Sequence, residues 1–437
     1  MTPTVLPVAA TTSGITALPR LLPTAATSAG ATMAVDLAGH LTRHGPLPYR
    51  GRPRLLLDTV HAAGLTGRGG AAFPVARKLA AVADAGRRAV VVANGAEGEP
   101  ASGKDKLLLW TSPHLVLDGV QLAAETVGSA EAFLYVHRDE KLHGRLRAAL
   151  AERAVAGTDR IPVTLVAAPP RFLAGEESAL VNVIDGGEAI PRFTPHRVSE
   201  SGVGGAPTLV QNVETLAHLA LIARHGAGWF RAVGTPVEPG SMLTSCHQAD
   251  GTPTVVETAI GTPLADLLNL TTRVQAVLVG GYHGVWLPVE RARGLKLSNA
   301  ALRPLGAAVG AGVLAALPAS HCGLVETARV VRYLALESAG QCGPCLNGLP
   351  RIAAALGTLA SLNPDEGTRR DLERWAGLVE RRGACHHPDG TVRLVRSALV
   401  LFGPEIDRHR DGWCGARSSQ PFLPIPAGVP TGEHDWR

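Results

Sequence analysis

Apolar positions along the chain change their period three times. Between residues 51 and 235 short apolar runs such as Ala89 to Ala93 and Ile161 to Ala167 alternate with helix-like stretches, among them the amphipathic Leu55 to Ala63. That alternation predicts an α/β domain. Residues 236–315 hold shorter β-rich pieces, Thr254 to Glu257 and Val274 to Val279, around one helix expected at Pro263 to Leu270. This is the pattern of a small α+β module. From residue 322 the period is helical. Leu324, Ala328, Val331 and Ala335 share a face, as do Leu349, Ile352, Ala353 and Leu356, then Leu372, Trp375, Ala376 and Val379. A fourth helix is expected from Val392 to Phe402, ending at Gly403-Pro404, so 322–410 reads as a four-helix bundle whose stripes are core. Residues 1–50 form an arm rich in Pro, Ala and Thr, expected to be mobile at its start, and 411–437 form a tail.

Composition narrows the class. At 437 residues with 46% hydrophobic and 18% charged positions, the chain can bury several cores and is neither disordered nor fibrous. A formal charge of +5 without a Lys/Arg block gives no reason to expect nucleic acid. No apolar run spans a bilayer and the N-terminal stretch lacks the basic start and apolar core of a secretory signal, so a cytoplasmic location is expected, peripheral to a membrane only through a partner. Six cysteines in such a chain favour metal or redox chemistry over disulfides, and Cys342, Cys345, Cys385 and Cys414 crowd into the last quarter. Cys246 and Cys322 stand apart and read as buried small residues.

Four segments carry candidate chemistry. Gly64-Leu65-Thr66-Gly67-Arg68-Gly69-Gly70-Ala71-Ala72-Phe73-Pro74, followed by Lys78, offers backbone amides to an anion or a flat ring without an intervening Cβ. Taken alone it satisfies a weak dinucleotide pattern that follows a helix rather than a strand, and a glycine-rich surface turn is the bland alternative. Val90 to Ala93 runs into Asn94-Gly95-Ala96-Glu97-Gly98-Glu99-Pro100, which places polar groups at the carboxyl end of a strand, where α/β sheets bind ligands. Gly175-Glu176-Glu177 pairs two carboxylates, although such pairs are commonly the first turn of a helix. Gln211-Asn212-Val213-Glu214-Thr215 closes the set. Farther on, Glu337-Ser338-Ala339-Gly340-Gln341-Cys342-Gly343-Pro344-Cys345 and a distant Cys385 provide a C-x-x-C turn and a third thiolate for iron or zinc.

In order and spacing these segments resemble the flavoprotein subunit of respiratory complex I and its relatives in soluble hydrogenases and formate dehydrogenases. The resemblance covers residues 55–405. It implies a Rossmann-like FMN domain (51–235), a β-grasp, SLBB-like module (236–315) and a helical bundle holding a 4Fe-4S cluster. It also implies an NAD(P)H dehydrogenase-like oxidoreductase. Cofactor contacts would then fall on Gly67, Arg68, Gly69, Gly70, Phe73, Lys78, Asn94, Glu97, Glu99, Gly175, Glu176, Glu177, Gln211, Asn212 and Thr215. Glu97 and Glu177 would lie nearest the flavin ring and the nicotinamide, and Cys342, Cys345 and Cys385 would hold metal. Partners would be a ferredoxin-like or thioredoxin-like electron carrier or a membrane redox protein.

The departures from the pattern are concentrated. Ala96 replaces an Asp and Gln211 an Asn in the flavin motifs. Around the nucleotide, Leu79-Ala80-Ala81, Gly103, Thr194 and His196-Arg197-Val198 replace aromatic and basic residues, which removes stacking area while leaving Phe73. Arg197 is either a solvent-exposed arginine, as most surface charges are, or a partner for a phosphate, which would favour NADPH. Ala339 stands where the family has the first cluster cysteine, leaving Ser338, His386, His387 or Cys414 as substitute ligands, or a Cys3His zinc site as the alternative. A non-catalytic scaffold role is the rival to the oxidoreductase.

Overall fold

The computed structural model describes residues 18–23, 34–49, 51, 53–192, 195–426 and 436. The start of the N-terminal arm and Thr194 lie outside the described residues.

The first domain is a parallel sheet with the order β3-β2-β1-β4, built from β1 (Val90–Gly95), β2 (Ala132–His137), β3 (Val163–Ala168) and β4 (Thr208–Asn212). All three pairings are parallel, and Asn94 stands in register with Asn212. Val90, Val91, Val92 and Ala93 are buried because both faces of β1 are covered, as a continuous apolar run predicts. The helices in chain order are α1 (Leu37–His44), α2 (Pro53–Ala63), α3 (Val75–Ala83), α4 (Lys104–Thr111), α5 (Pro113–Val127), α6 (Glu140–Ala156), α7 (Glu177–Ile184) and α8 (Val213–Arg231). Helix α5 is apolar around most of its circumference and lies within the main core beside α8.

The strand order has a direct consequence for ligand binding. From β1 the chain moves outward through β2 and β3, then returns to the other side of β1 as β4. The switch point therefore falls between the carboxyl ends of β1 and β4, where a crevice opens in such sheets.

The second domain is a five-stranded mixed sheet ordered β6-β5-β9-β7-β8: β5 (Ser241–His247), β6 (Pro253–Ala259), β7 (Val274–Val279), β8 (Val285–Pro288) and β9 (Val313–Pro318). The helix expected at Pro263 to Leu270 is a single turn, α9 (Leu264–Leu267), because Leu268 is already extended and Asn269 turns its amide to Gln248. Two more single turns, α10 (Val289–Ala292) and α11 (Asn299–Leu302), complete the layer. Short apolar runs cannot distinguish a turn from a helix by period alone.

The C-terminal region has four long helices, α12 (Gly323–Leu336), α13 (Leu349–Ala360), α14 (Gly367–Val379) and α15 (His387–Leu401). A fifth, α16 (Gly403–Arg410), starts where Gly403-Pro404 read as a stop. Proline at the first turn of a helix is compatible with it, since its missing N–H would lack an intrahelical partner there anyway.

Part of the arm is firmly docked. Leu21 and Leu22 are fully buried, and the backbone amides of Arg20 and Leu21 donate to the half-buried Glu257 carboxylate on β6 at 2.8 Å each.

Candidate functional site

Three loops converge on the switch point. Asn94, at the end of β1, donates from Nδ2 to the Gly175 carbonyl at 2.8 Å and accepts from the Ala96 amide at 3.1 Å. Asn212, at the end of β4, caps α8 by accepting from the Glu214 amide and donates to Asp105 Oδ2 at 2.7 Å. Gly69 of the glycine-rich loop lies over Asn212, where an added Cβ would stand 3.3 Å from the Asn212 Cβ. The third loop, residues 169–176 after β3, is pressed against the loop of residues 96–103 after β1. A Cβ on Gly98 would stand 2.2 Å from the Phe172 carbonyl oxygen, and one on Gly175 2.6 Å from that of Ala96, so only glycine allows this approach.

The predicted residues separate by what their side chains do. Thr215 accepts the Arg68 amide at 2.9 Å, which ties the glycine-rich loop to α8. The Arg68 guanidinium turns inward to the Ser241 and Thr66 carbonyls and lies 4.0 Å from Glu214, so toward the crevice this residue presents backbone only. Glu176 caps α7 by accepting from the Ser178 and Ala179 amides. Glu177, half-buried at the start of α7, holds Lys78 Nζ at 2.5 Å. The carboxylate of Glu97 accepts from the Ser102 hydroxyl and from the Asp105 and Lys106 amides at the start of α4. Gln211 is buried, and its Nε2 has no hydrogen-bond partner among the described residues. Phe73 is 46% exposed, with the Arg77 guanidinium 5.6 Å from its ring centroid.

Glu99 is tied to the second domain. It accepts from the Tyr282 amide at 2.8 Å and from the Ala101 amide at 3.3 Å, and burial pushes its carboxyl up to about 7. A carboxyl raised in the fold contributes stability that is fully present below its unfolded value, near 4.5, and lost as pH rises through about 7. We expect Glu99→Gln to remove this dependence. Relative to the parent, the variant should gain roughly 3 kcal/mol in urea unfolding between pH 5 and pH 8. A constant difference across that range would contradict the assignment.

At the start of α4 lies a charge cluster whose burial no motif announced. Lys104 Nζ sits 2.7 Å from Asp105 Oδ1 and 2.9 Å from Glu214 Oε2, with all three side chains buried. Burial pushes Asp105 up to about 7. Burial would raise Glu214 as well, but Lys104, His218 and Arg68 outweigh it and bring Glu214 down to about 2. Lys-Asp-Lys in a polar loop reads as a solvated turn, and only the packing of α4 beneath β5 makes it interior.

The cysteine loop adjoins the third loop. The Phe172 amide donates to Glu337 Oε2 at 2.9 Å, and Arg171 Nε lies 3.2 Å from the same oxygen. Ser338, Ala339 and the C-x-x-C turn follow directly. Cys345 is buried, which pushes its thiol up to about 11, and it is flanked by Ser338, Cys342 and Cys385. Glu176 acts electrostatically on Cys385, so the cap of α7 borders the thiol group. Phe172 lies between the two regions with its ring 5.5 Å from that of His387.

The substitute ligands considered from sequence are narrowed by this geometry. His387 is buried with Nε2 2.8 Å from the Leu334 carbonyl and Nδ1 3.2 Å from His283, so both its nitrogens are engaged. His386 is fully exposed. Cys414 belongs to a different cluster, with Cys322, Glu405 and His409. Of the four candidates, Ser338 is the one whose side chain meets the thiol of Cys345. Cys246 is a buried residue of β5, as expected, but Cys322 is not simply a core residue, because His409 Nε2 stands 3.6 Å from its sulfur.

Two family models match. One, described as the Nuo51 FMN-binding domain, matches residues 60–221. The other, the NADH-ubiquinone oxidoreductase-F iron-sulfur binding region, matches residues 325–409. An NADH-quinone oxidoreductase subunit of Rhizobium meliloti (strain 1021) is 27% identical over 376 residues, covering 82% of this chain and 89% of the relative. Its counterpart in Streptomyces coelicolor (strain ATCC BAA-471 / A3(2) / M145) is 27% identical over 382 residues, covering 82% and 84%. Among solved structures, an NAD+-reducing NiFe-hydrogenase in the H2-reduced state superposes with a TM-score of 0.76 at 26% identity, over 87% of this chain and 68% of that one.

Proposed function

This chain belongs to the family of FMN-binding, NADH-oxidising flavoproteins of respiratory complex I and NAD+-reducing hydrogenases, and from that premise we propose how its own residues do the work. It is an FMN- and iron-sulfur-containing electron-transfer subunit and an oxidoreductase of the NADH dehydrogenase type. The residues present fit both groups. At the switch point, glycines lie where any Cβ would obstruct and Gln211 has an unpartnered buried amide nitrogen, which suits a planar polar cofactor. Three thiols and a hydroxyl stand together at Cys342, Cys345, Cys385 and Ser338.

In this reading Gly67 closes the loop by donating its amide to the Phe73 carbonyl at 2.9 Å, Gly69 and Gly70 place backbone amides toward the flavin phosphate, and Lys78 supplies the positive charge, exchanging Glu177 for the phosphate. Asn94, Asn212 and Thr215 fix the three loops, and Glu97, Glu99 and Glu176 hold the crevice walls through α4, the second domain and α7. Glu177 is the carboxylate at the mouth, next to the incoming nucleotide. Flavin supplies the conversion of a two-electron hydride into single electrons. The observation that carries the proposal is the anchoring of the third flavin loop, through Arg171 and Phe172, to Glu337 at the start of the cysteine segment. This contact supports a reading in which the flavin and cluster sites adjoin in one chain.

Finer features belong to the same reading. The five-stranded domain is taken as a β-grasp, SLBB-like docking module and the C-terminal helices as the cluster-holding bundle. The partner is a ferredoxin-like or thioredoxin-like carrier, or a membrane redox protein. Among the described residues no helix is long and apolar enough to cross a membrane, so membrane contact would run through that partner. Exposed Phe73 beside Arg77, together with Arg197 near the family's lost aromatic segment, favours NADPH as an alternative donor.

The test is anaerobic purification followed by visible spectra with NADH and with NADPH, alongside iron and zinc analysis. Flavin bands that bleach with either nucleotide, in protein containing iron, support the oxidoreductase. A colourless protein that holds zinc alone at Cys342, Cys345 and Cys385 would establish the scaffold reading instead.

A further inference from the structure

A second group of metal-binding side chains lies far from the redox cysteines. Cys322 precedes α12, Glu405 and His409 sit one turn apart on α16, and Cys414 follows that helix. Their four ligand atoms all lie within 4.8 Å of one another, with Cys322, Glu405 and His409 buried and Cys414 half-buried. Helix α12 separates Cys322 from Ser338, and α15 separates Cys385 from α16. At about 1.5 Å per residue each of these helices is roughly 20 Å long, so the two cysteine groups occupy opposite ends of the helical region.

The geometry points to a zinc site formed by Cys322 Sγ, Cys414 Sγ, His409 Nε2 and Glu405 Oε1, and we propose that this chain binds a structural Zn2+ there. Zinc bonds of about 2.3 Å to sulfur and 2.0–2.2 Å to nitrogen or oxygen, arranged tetrahedrally, give S···N edges of about 3.5 Å and N···O edges of about 3.4 Å. The observed separations are 3.6 Å from Cys322 Sγ to His409 Nε2 and 3.4 Å from His409 Nε2 to Glu405 Oε1.

The surroundings orient the donors as ligands. His409 Nδ1 lies 3.1 Å from the Leu359 carbonyl, and a proton donated there leaves the Nε2 lone pair facing the two sulfurs and the carboxylate. In a neutral imidazole, Nε2 and the Glu405 oxygen are both acceptors, and a cation between them turns their opposition into attraction. The Ala416 amide donates to Cys414 Sγ at 3.5 Å, and the Leu324 and Val325 amides at the start of α12 face Cys322. Arg408 Nε donates to Glu405 Oε2 at 3.0 Å and the Gly415 amide donates to Oε1 at 2.9 Å, which fixes the carboxylate and leaves Oε1 a second lone pair for a cation. Two thiolates, one carboxylate, Zn2+ and the Arg408 guanidinium sum to zero charge. Binding releases the two thiol protons and involves no change of oxidation state.

Four protein ligands leave no open position, which marks the site as structural rather than catalytic. The ion would join the start of α12, helix α16 and the segment that returns along α12, where the Phe422 and Leu423 amides meet Glu326.

The test is metal analysis of the full chain with its iron content intact, together with zinc-edge X-ray absorption. We expect about one zinc per chain with a mixed sulfur and nitrogen/oxygen shell, lost in Cys414→Ser and in His409→Gln but retained in Cys345→Ser. Chelation should lower the melting temperature, and Zn2+ but not Mg2+ should restore it. If those variants fail to fold, Co2+ added to the chelated parent decides: intense tetrahedral and thiolate charge-transfer bands support the site. Zinc that disappears with Cys345→Ser while surviving Cys414→Ser would overturn the proposal, as would a parent protein that takes up neither zinc nor cobalt.

Discussion

Lys104→Met should lower stability by roughly 3–5 kcal/mol in urea unfolding, a figure typical of removing one partner from a buried ion group. The ammonium lies within 3 Å of both Asp105 and Glu214, and no water-exposed path relaxes the two carboxylates once it is gone. Glu214 Oε1 also accepts the Leu243 amide of β5 at 2.9 Å, so the loss would reach the contact between the first two domains. Its other oxygen faces Lys104. Adding Glu214→Gln to Lys104→Met should recover part of the stability, because one stranded charge is then removed. A Lys104→Met protein within about 1 kcal/mol of the parent would show that the cluster is not held as described. Flavin retention should fall along with stability, because Asp105 also accepts from Asn212 at the end of β4.

Ala339→Cys should convert a three-cysteine site into one with a full cysteine set. The variant should retain close to four iron atoms per chain through aerobic handling, while the parent loses iron faster. Position 339 lies between Ser338, which flanks the buried Cys345, and Gly340, and Ala339 packs against the cluster of Leu173 and Ala174 in the third flavin loop. A thiol there would thus enter the group from the flavin side. Ser338→Ala should act in the opposite direction by removing the hydroxyl beside Cys345. Equal iron retention in the parent, Ala339→Cys and Ser338→Ala would mean that neither position reaches the cluster. Residue order alone left four substitute ligands open. Burial and hydrogen bonding remove His387, exposure sets His386 apart, and the length of the helices removes Cys414.

Much of the fold was legible because burial leaves a periodic trace. The runs at Val90 to Ala93 and Val274 to Val279 became β1 and β7, and the stripes after residue 322 became α12 to α15. The helix foreseen at Pro263 to Leu270 shrank to one turn, and α16 was missed at Gly403-Pro404, since proline opens a helix as readily as it closes one. Within the site, the glycines and the polar strand ends could be read because a close backbone approach demands particular residue types. The paired Glu176 and Glu177 could not be told apart. One caps α7 and the other faces Lys78, a division that depends on where α3 happens to pass.

By itself, then, the sequence determined the order of the α/β, β-rich and helical regions, the glycine and asparagine positions at the sheet edge, and the C-x-x-C turn with its distant third cysteine, since each follows from local backbone and side-chain chemistry. The tertiary structure alone decided which of those groups meet. Parallel pairing set Asn94 beside Asn212 at the switch point, and packing of α4 against β5 buried Lys104 with two acids. The return of the chain after α16 brought Cys414 to Cys322, far from the other thiols. Contacts between residues so distant in the chain have no signature in periodicity or spacing, because they arise only when separate cores close on one another.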